Sequence, residues 1–420
     1  MAIRTVQPAP DTLNIDPNLT ASQARWVLNV AYAPGAAPVR TFPLQAPVVL
    51  VSRATTRHLE APAILLPDDA VSRQGVRLVS AGADYELRVE GGTNPVYLNG
   101  AEAPASSLLR LNDVIRIGRT VLVVDRYVAP ARGNEQLLAP LHERLGMGIS
   151  AQARTFAARV RMALFSADVV WITSSVDAEA MVTLEWMIES VGLPATHVAL
   201  GSPDAESALL DAPVTDSVVV HGFGDAGDAA IAAATDLLRQ RRHVARDGRI
   251  LVACGSEDLA RRPVVLMRDR LEVLELRVPP LRERRADICD ALLRFATRPG
   301  CLLTHQTADA ATRYDWPGGV PELMRVARRL ALVQGPIEPF ELPEAAAVLA
   351  LSSPQSVERV RIRESFETHQ GNASRVAESL GMSRNHLYRR MRELGLSPES
   401  LRLETKKPRA KAPRRAKAGP

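Results

Sequence analysis

The sequence predicts a multidomain chain of three fold classes: an all-β sandwich, an α/β domain on a parallel sheet, and an all-α helix-turn-helix. Three observations carry this. Between Trp26 and Tyr127, short apolar runs are separated by Gly, Pro, Asn and Asp, the pattern of a sandwich of short strands. Beyond about residue 141, buried runs alternate with helical stretches in the rhythm of βαβ units. Near the end, Gly371 to Leu396 reads as two short helices joined by a tight turn. The expected boundaries are a mobile N-terminus over 1–22, the sandwich over 23–128, a linker over 129–140, the α/β domain over 141–345, the helical unit over 356–400 and a disordered basic tail over 401–420.

A chain of 420 residues, 46% hydrophobic, can build several cores. The net charge is +5, yet seven cations (Lys406, Lys407, Arg409, Lys411, Arg414, Arg415, Lys417) fall in the last stretch with no acid among them. The rest of the chain is therefore slightly acidic. It is no general polyanion binder, whereas the tail adds salt-sensitive affinity for a polyanion. Cys254, Cys289 and Cys301 are too far apart in sequence for a disulfide framework or a zinc site, and fit a reducing cytoplasm. No apolar run at the N-terminus or elsewhere reads as a signal peptide or a membrane span. A cytoplasmic protein without cofactors is expected.

The strand candidates of the first region are WVLNVAY, TFPL, VVLVS, AILL, GVRLVS, YELRVE, PVYLN, DVIRIG and TVLVVDRY. Between them stand VSR, ending at Arg53; LPDDAVSRQG, holding Ser72 and Arg73; and GGTNPVYLNG, holding Thr93, Asn94, Asn99 and Gly100. This order of motifs resembles the forkhead-associated (FHA) domain, whose members bind phosphothreonine peptides through loops at one end of a sandwich. The resemblance implies a phosphopeptide site. Arg53 would offer a fork of donors to the phosphate, Ser72 a hydroxyl, and Arg73 a second charge. Thr93 and Asn94 would position the peptide backbone. Ser52, Gly75 and Pro95 depart from the family's glycine, histidine and glycine.

In the central region, VVWITSS, VTDSVVVHGFGD and GRILVACGS read as strands, and Ala151–Phe165, Glu179–Val191 and Ala229–Arg241 as helices. ELRVPPLRERRADI (Glu275–Ile288) and YDWPGGVPELMRVARRLAL (Tyr314–Leu332) resemble the sigma-54-interacting AAA+ module of enhancer-binding proteins. The catalytic parts depart from that family. A phosphate loop needs glycines whose amides cradle phosphates, and a lysine. The run here is SSVDAEAM, Ser174–Met181, with no glycine and with Ala180 at the lysine's place. His221-Gly222 follows the strand that should end in Asp-Glu, the sigma-54-gripping loop is absent, and Pro321 replaces the nucleotide-sensing arginine. No ATPase activity is expected. His221 with Asp225 and Asp228 reads as structural rather than catalytic or metal-binding.

In the last unit, Val376, Ala377 and Leu380 share one helix face, and Leu387, Met391 and Leu394 recur at i, i+4 and i+7. A helix over 357–369 precedes them, with Ile362 and Phe366 turned to the core. Gly381 ends one helix and Ser383 caps the next. The outer face of the second helix carries Arg384, His386, Arg389, Arg390 and Arg392, a shape suited to a DNA major groove. The stretch resembles the Fis-family helix-turn-helix. By that analogy Ser383, Arg384, Asn385 and His386 meet base edges. Arg389 and Arg390, with Asn372, Ser374 and Arg375 at the first helix's start, hold phosphates.

The expectation is thus a bacterial transcriptional regulator, not an enzyme, with double-stranded DNA and a phosphothreonine-bearing protein as partners. A Ser/Thr kinase would supply the signal, and a homodimer or higher oligomer would double the DNA contact. The rivals are a phosphopeptide-recruiting scaffold localised on DNA, and an ATP-driven sigma-54 activator, which the lost lysine disfavours.

Overall fold

The computed structural model describes residues 26–396, apart from 35–40, 45, 54–61, 73–75, 92–93, 127–134, 193, 245–248, 298–301, 352–357, 359–361, 363–364, 367, 370 and 395. The expectations made for 1–22 and 401–420, and for Arg73, Thr93 and Cys301, lie outside the described residues. So do most of residues 357–369.

The first region is a sandwich of short strands: β1 (Trp26–Tyr32), β2 (Thr41–Pro43), β3 (Val48–Arg53), β4 (Ala63–Leu66), β5 (Val76–Ala81), β6 (Asp84–Val89), β7 (Val96–Leu98), β8 (Ala101–Glu102), β9 (Ser106–Leu108), β10 (Val114–Ile117) and β11 (Thr120–Arg126). One sheet runs β2-β1-β11-β10-β7-β8, the other β4-β3-β5-β6-β9. β3 and β4 pair in parallel, with Arg53 beside Leu66 at their common end. Alternation sets the faces: Val76 and Leu78 of β5 are buried while Arg77 between them is exposed. The short strands β8 and β9 are polar and lie at sheet edges, which left them without an apolar signature in the sequence.

β11 breaks the alternation, because Thr120 to Asp125 are all buried. Leu122 and Val124 enter the sandwich core, whereas Val121 and Val123 face a layer of helices. Both faces of this strand are thus covered, and its continuous apolar run follows.

The central layer comprises α1 (Glu135–Leu145), α2 (Ala151–Ser166), β12 (Val169–Ser174), α3 (Asp177–Val191), β13 (Ala195–Ala199), α4 (Ala205–Asp211), β14 (Ser217–His221), α5 (Asp228–Val244), β15 (Ile250–Gly255), α6 (Arg262–Leu271) and β16 (Leu274–Arg277). Its sheet, β13-β14-β15-β12-β16, is parallel throughout. One face packs on α2 and α3 through Phe156, Val160, Leu184 and Met187; the other buries Leu209, Ile231, Leu238 and Met267. The linker expected over 129–140 is shorter than that. α1 begins at Glu135, because Leu141 and Leu145, one turn apart, are buried against the α/β core.

A helical layer follows: α7 (Ile288–Phe295), α8 (His305–Arg313), α9 (Gly319–Leu330) and α10 (Glu344–Leu351). α8 is polar in sequence, HQTADAATR, yet every residue from His305 to Thr312 is buried. It lies between α7, α10 and strands β1, β10 and β11 of the sandwich. Within this layer Asp309 pairs with Arg313 and, across the interface, with Arg116 of β10. The Arg116 guanidinium also sits 3.9 Å above the Tyr97 ring.

The last unit contains α11 (Ala373–Ser379) and α12 (Arg384–Glu393). Ile362, Phe366, Val376, Leu387, Met391 and Leu394 form its core, each fully buried.

Candidate functional site

The end of the sandwich that carries the expected phosphopeptide residues is assembled from β3, the loop after β4 and the approach to β7. Arg53 terminates β3 and is half-buried. Its Nε is buried and has no hydrogen-bond partner among the described residues. The parallel β3–β4 pairing brings the loop 67–72, with the half-buried Ser72, to the same end.

That loop is held by a residue the sequence reading passed over. Asp68 is buried and accepts from the amides of Ala70 (3.0 Å) and Arg119 (2.7 Å), the Arg119 Nε (3.2 Å) and the Thr120 hydroxyl (3.1 Å). Asn94 donates its side-chain amide to the Ala70 carbonyl at 2.7 Å. Asn94 therefore braces the loop beside Ser72, and the Asp68–Arg119 pair holds its start. At the β10–β11 turn, Gly118 has φ +60 and lies against the Ala70 backbone, a place with no room for a Cβ.

The second place is the carboxyl edge of the parallel sheet, where open α/β folds bind ligands. β12 ends at Ser174, whose hydroxyl donates to the Val176 carbonyl, and α3 begins at Asp177. Asp177 lies against Gly255 at the end of β15, beside Asp258. Burial, then Asp258 and Glu257, raise its carboxyl above the usual range. An acidic edge of this kind repels polyphosphate. Two residues on, Glu179 is 1% exposed, and its Oε1 accepts from the Val320 amide at the start of α9, 2.7 Å away. Burial raises its carboxyl too, against the bond from Val320 and the field of Arg284.

The resembling run Glu275–Ile288 acts here as a joint. Arg284, fully buried, donates to the carbonyls of Pro279 and Gly146, both at 3.0 Å. Asp287 accepts from the Ser150 amide and hydroxyl at the start of α2. His221 stands at the end of β14 with its ring edge-on to His197, and burial, then His197, lower its pKa. No cluster of three metal-ligating side chains occurs among the described residues. None of the described helices is long and apolar enough to cross a membrane.

At the C-terminal end, the caps form as the residues dictate. Asn372 Oδ1 accepts from the amides of Ser374 and Arg375, and Ser383 Oγ from that of His386. Those two side chains thus fix the helix starts. Gly381, at φ +67, makes the turn between the helices. Ser374, Arg375, Arg384, Asn385, His386 and Arg389 are exposed. Arg384 Cζ lies 5.6 Å from the Tyr388 ring centroid, which steadies its long side chain. Arg390 differs from the expectation that it holds phosphate: it is half-buried and forms a bidentate pair with Glu358 of the preceding segment. Its charge ties the recognition helix to its own scaffold.

Residues 353–394 match the family model described as bacterial regulatory protein, Fis family. The C4-dicarboxylate transport transcriptional regulatory protein DctD of Pseudomonas aeruginosa is 38% identical over 138 residues, which cover 30% of this chain and 30% of that protein. The chain thus spans less than a third of that curated relative. Among solved structures, NtrX from Brucella abortus in complex with ATP aligns with a TM-score of 0.41 at 18% identity, covering 62% of this chain and 72% of NtrX. An FHA domain studied for phosphothreonine-dependent interactions aligns with a TM-score of 0.21 at 24% identity, covering 25% of this chain and 99% of that domain.

Proposed function

We propose that the chain is a sequence-specific DNA-binding transcription regulator whose N-terminal sandwich reads phosphothreonine and whose α/β centre hydrolyses no nucleotide. The observation that carries the reading is the C-terminal helix α12. It is capped by Ser383, seated by Leu387, Met391 and Leu394, and presents Arg384, Asn385, His386 and Arg389 outward. Arg can fork onto guanine and Asn onto adenine. One such unit covers few base pairs, so a homodimer on a roughly palindromic site is part of the proposal.

The phosphothreonine arm is supported by the buried, unpartnered Nε of Arg53 beside a loop braced for contact. A charge-assisted bond to a phosphate oxygen satisfies such a donor. A Ser/Thr kinase acting on a partner is the implied source of the signal. The absence of glycines and lysine from Ser174–Met181, and the acids at that edge, support an inert centre. Genome-wide DNA occupancy with wild-type and Arg53→Ala chains tests the whole: discrete sites are expected, with expression of the adjoining genes altered by Arg53→Ala. Diffuse occupancy, or occupancy with no change of expression, favours the scaffold reading instead.

A further inference from the structure

Glu179 stands where three independent features meet. It belongs to the first turn of α3, in the run that replaces a phosphate loop. It touches the first turn of α9, a twelve-residue helix of the helical layer. Its side chain is buried, and its Oε2 has no hydrogen-bond partner among the described residues.

The donors at the start of α9 explain the contact. Gly319 donates its amide to the Trp316 carbonyl, and Glu322 to that of Gly318. Pro321 has no amide hydrogen. The Val320 amide is left, and Glu179 takes it. Gly319, at φ +60, has the Glu179 carboxylate where its Cβ would be, with Val176 Cγ2 next at 3.0 Å, so only glycine admits this approach. The carboxylate, carried by the first turn of α3, therefore sits at the positive end of α9, the kind of place that binds free anions in other proteins. Arg284, with an unpartnered buried Nη2, adds its field from the helical side of the joint.

We propose that the Glu179 carboxylate is a built-in anion that clasps the α/β layer to α9, holding the first turns of α3 and α9 together without any ligand. The clasp deepens the reading of an inert centre and rests on that reading only for its significance, since its geometry stands alone. It makes the centre a strut: α8, α9 and the helix-turn-helix beyond them stay in one position relative to the sheet whatever the nucleotide level.

The test is hydrogen–deuterium exchange of the full chain, read by mass spectrometry on peptides spanning residues 316–324. In Glu179→Ala, exchange at the start of α9 is expected to rise about tenfold, the loss of one charge-assisted bond, while peptides from β15 stay unchanged. Sodium acetate, a free copy of the deleted group, should restore protection in Glu179→Ala and not alter the wild type. Unchanged exchange in the variant, or a rise that acetate leaves untouched, overturns the clasp. If Glu179→Ala does not fold, Glu179→Gln serves: it keeps the acceptor and loses the charge, so exchange should rise about threefold, the worth of a charge at a helix start. Exchange equal to wild type then overturns the idea. Calorimetric titration of the wild type with magnesium ATP separates the two readings. Heat of binding contradicts the inert centre, whereas the exchange result alone decides the clasp.

Discussion

Asp125, the penultimate residue of β11, accepts from the Asn29 side chain (3.0 Å), the Arg126 amide (2.8 Å) and the Ala151 amide at the start of α2 (2.8 Å). It links sandwich to α/β layer. Burial pushes its carboxyl up to about 6, against the two backbone bonds. A carboxyl with a raised folded pKa holds its proton more tightly folded than unfolded. Its contribution is fully present below its unfolded pKa near 4 and is lost as pH rises through about 6. Urea melts between pH 4 and 7 should therefore show wild-type stability falling over this window relative to Asp125→Asn, by up to about 3 kcal/mol. A pH profile parallel to that of the variant refutes the assignment.

At the scale of the element, helix α12 divides its cations by exposure. Arg384 and Arg389 are exposed, whereas Arg390 is half-buried against Glu358. Arg384→Ala should relax sequence preference at one position by about 1–3 kcal/mol, and Arg389→Ala should weaken all sequences alike and flatten the salt dependence by about one ion. Arg390→Ala should leave that salt slope unchanged and lower thermal stability of the unit instead, by about 0.5–1 kcal/mol for a half-buried pair. Competition binding on varied duplexes at several salt concentrations reads all three. Ser383→Ala removes the cap that starts the helix, and about 1 kcal/mol of stability with it.

At the scale of the molecule, the sandwich and the helical layer share a core. Ala31, Val121 and Val123 pack with Ala308 and Ala311, and the Tyr32 hydroxyl donates to the Leu303 carbonyl at 2.6 Å. Gln306, also on α8, donates to the Leu394 carbonyl at the end of the recognition helix, 3.4 Å away. α8 thus touches both the sandwich and the DNA-facing unit. Asp309→Ala would leave Arg116 and Arg313 buried without their carboxylate, and should cost about 3–5 kcal/mol. Calorimetry should show sandwich and helical layer melting in one transition in the wild type, and separating in Asp309→Ala. Two transitions in the wild type would argue against a shared core.

The sequence by itself determined the three fold classes, the longer strands, the seating of α12 and the lost phosphate loop, because each rests on local periodicity or on a residue type that chemistry requires. Leu387, Met391 and Leu394 had to face one way on any helix. No loop without glycine and lysine can cradle phosphates as that family does. Tertiary structure alone decided which polar residues meet. Asp68 carried no signal in the sequence, because its partners Arg119 and Thr120 lie some fifty positions along the chain. Glu179 read as a repelling acid until Val320, 141 positions on, supplied an amide. The sequence of α8 is polar, and only the sandwich laid against it explains its burial. Such partnerships are long-range, so they leave no period in the sequence, and a buried carboxylate is intelligible only once its donors are known.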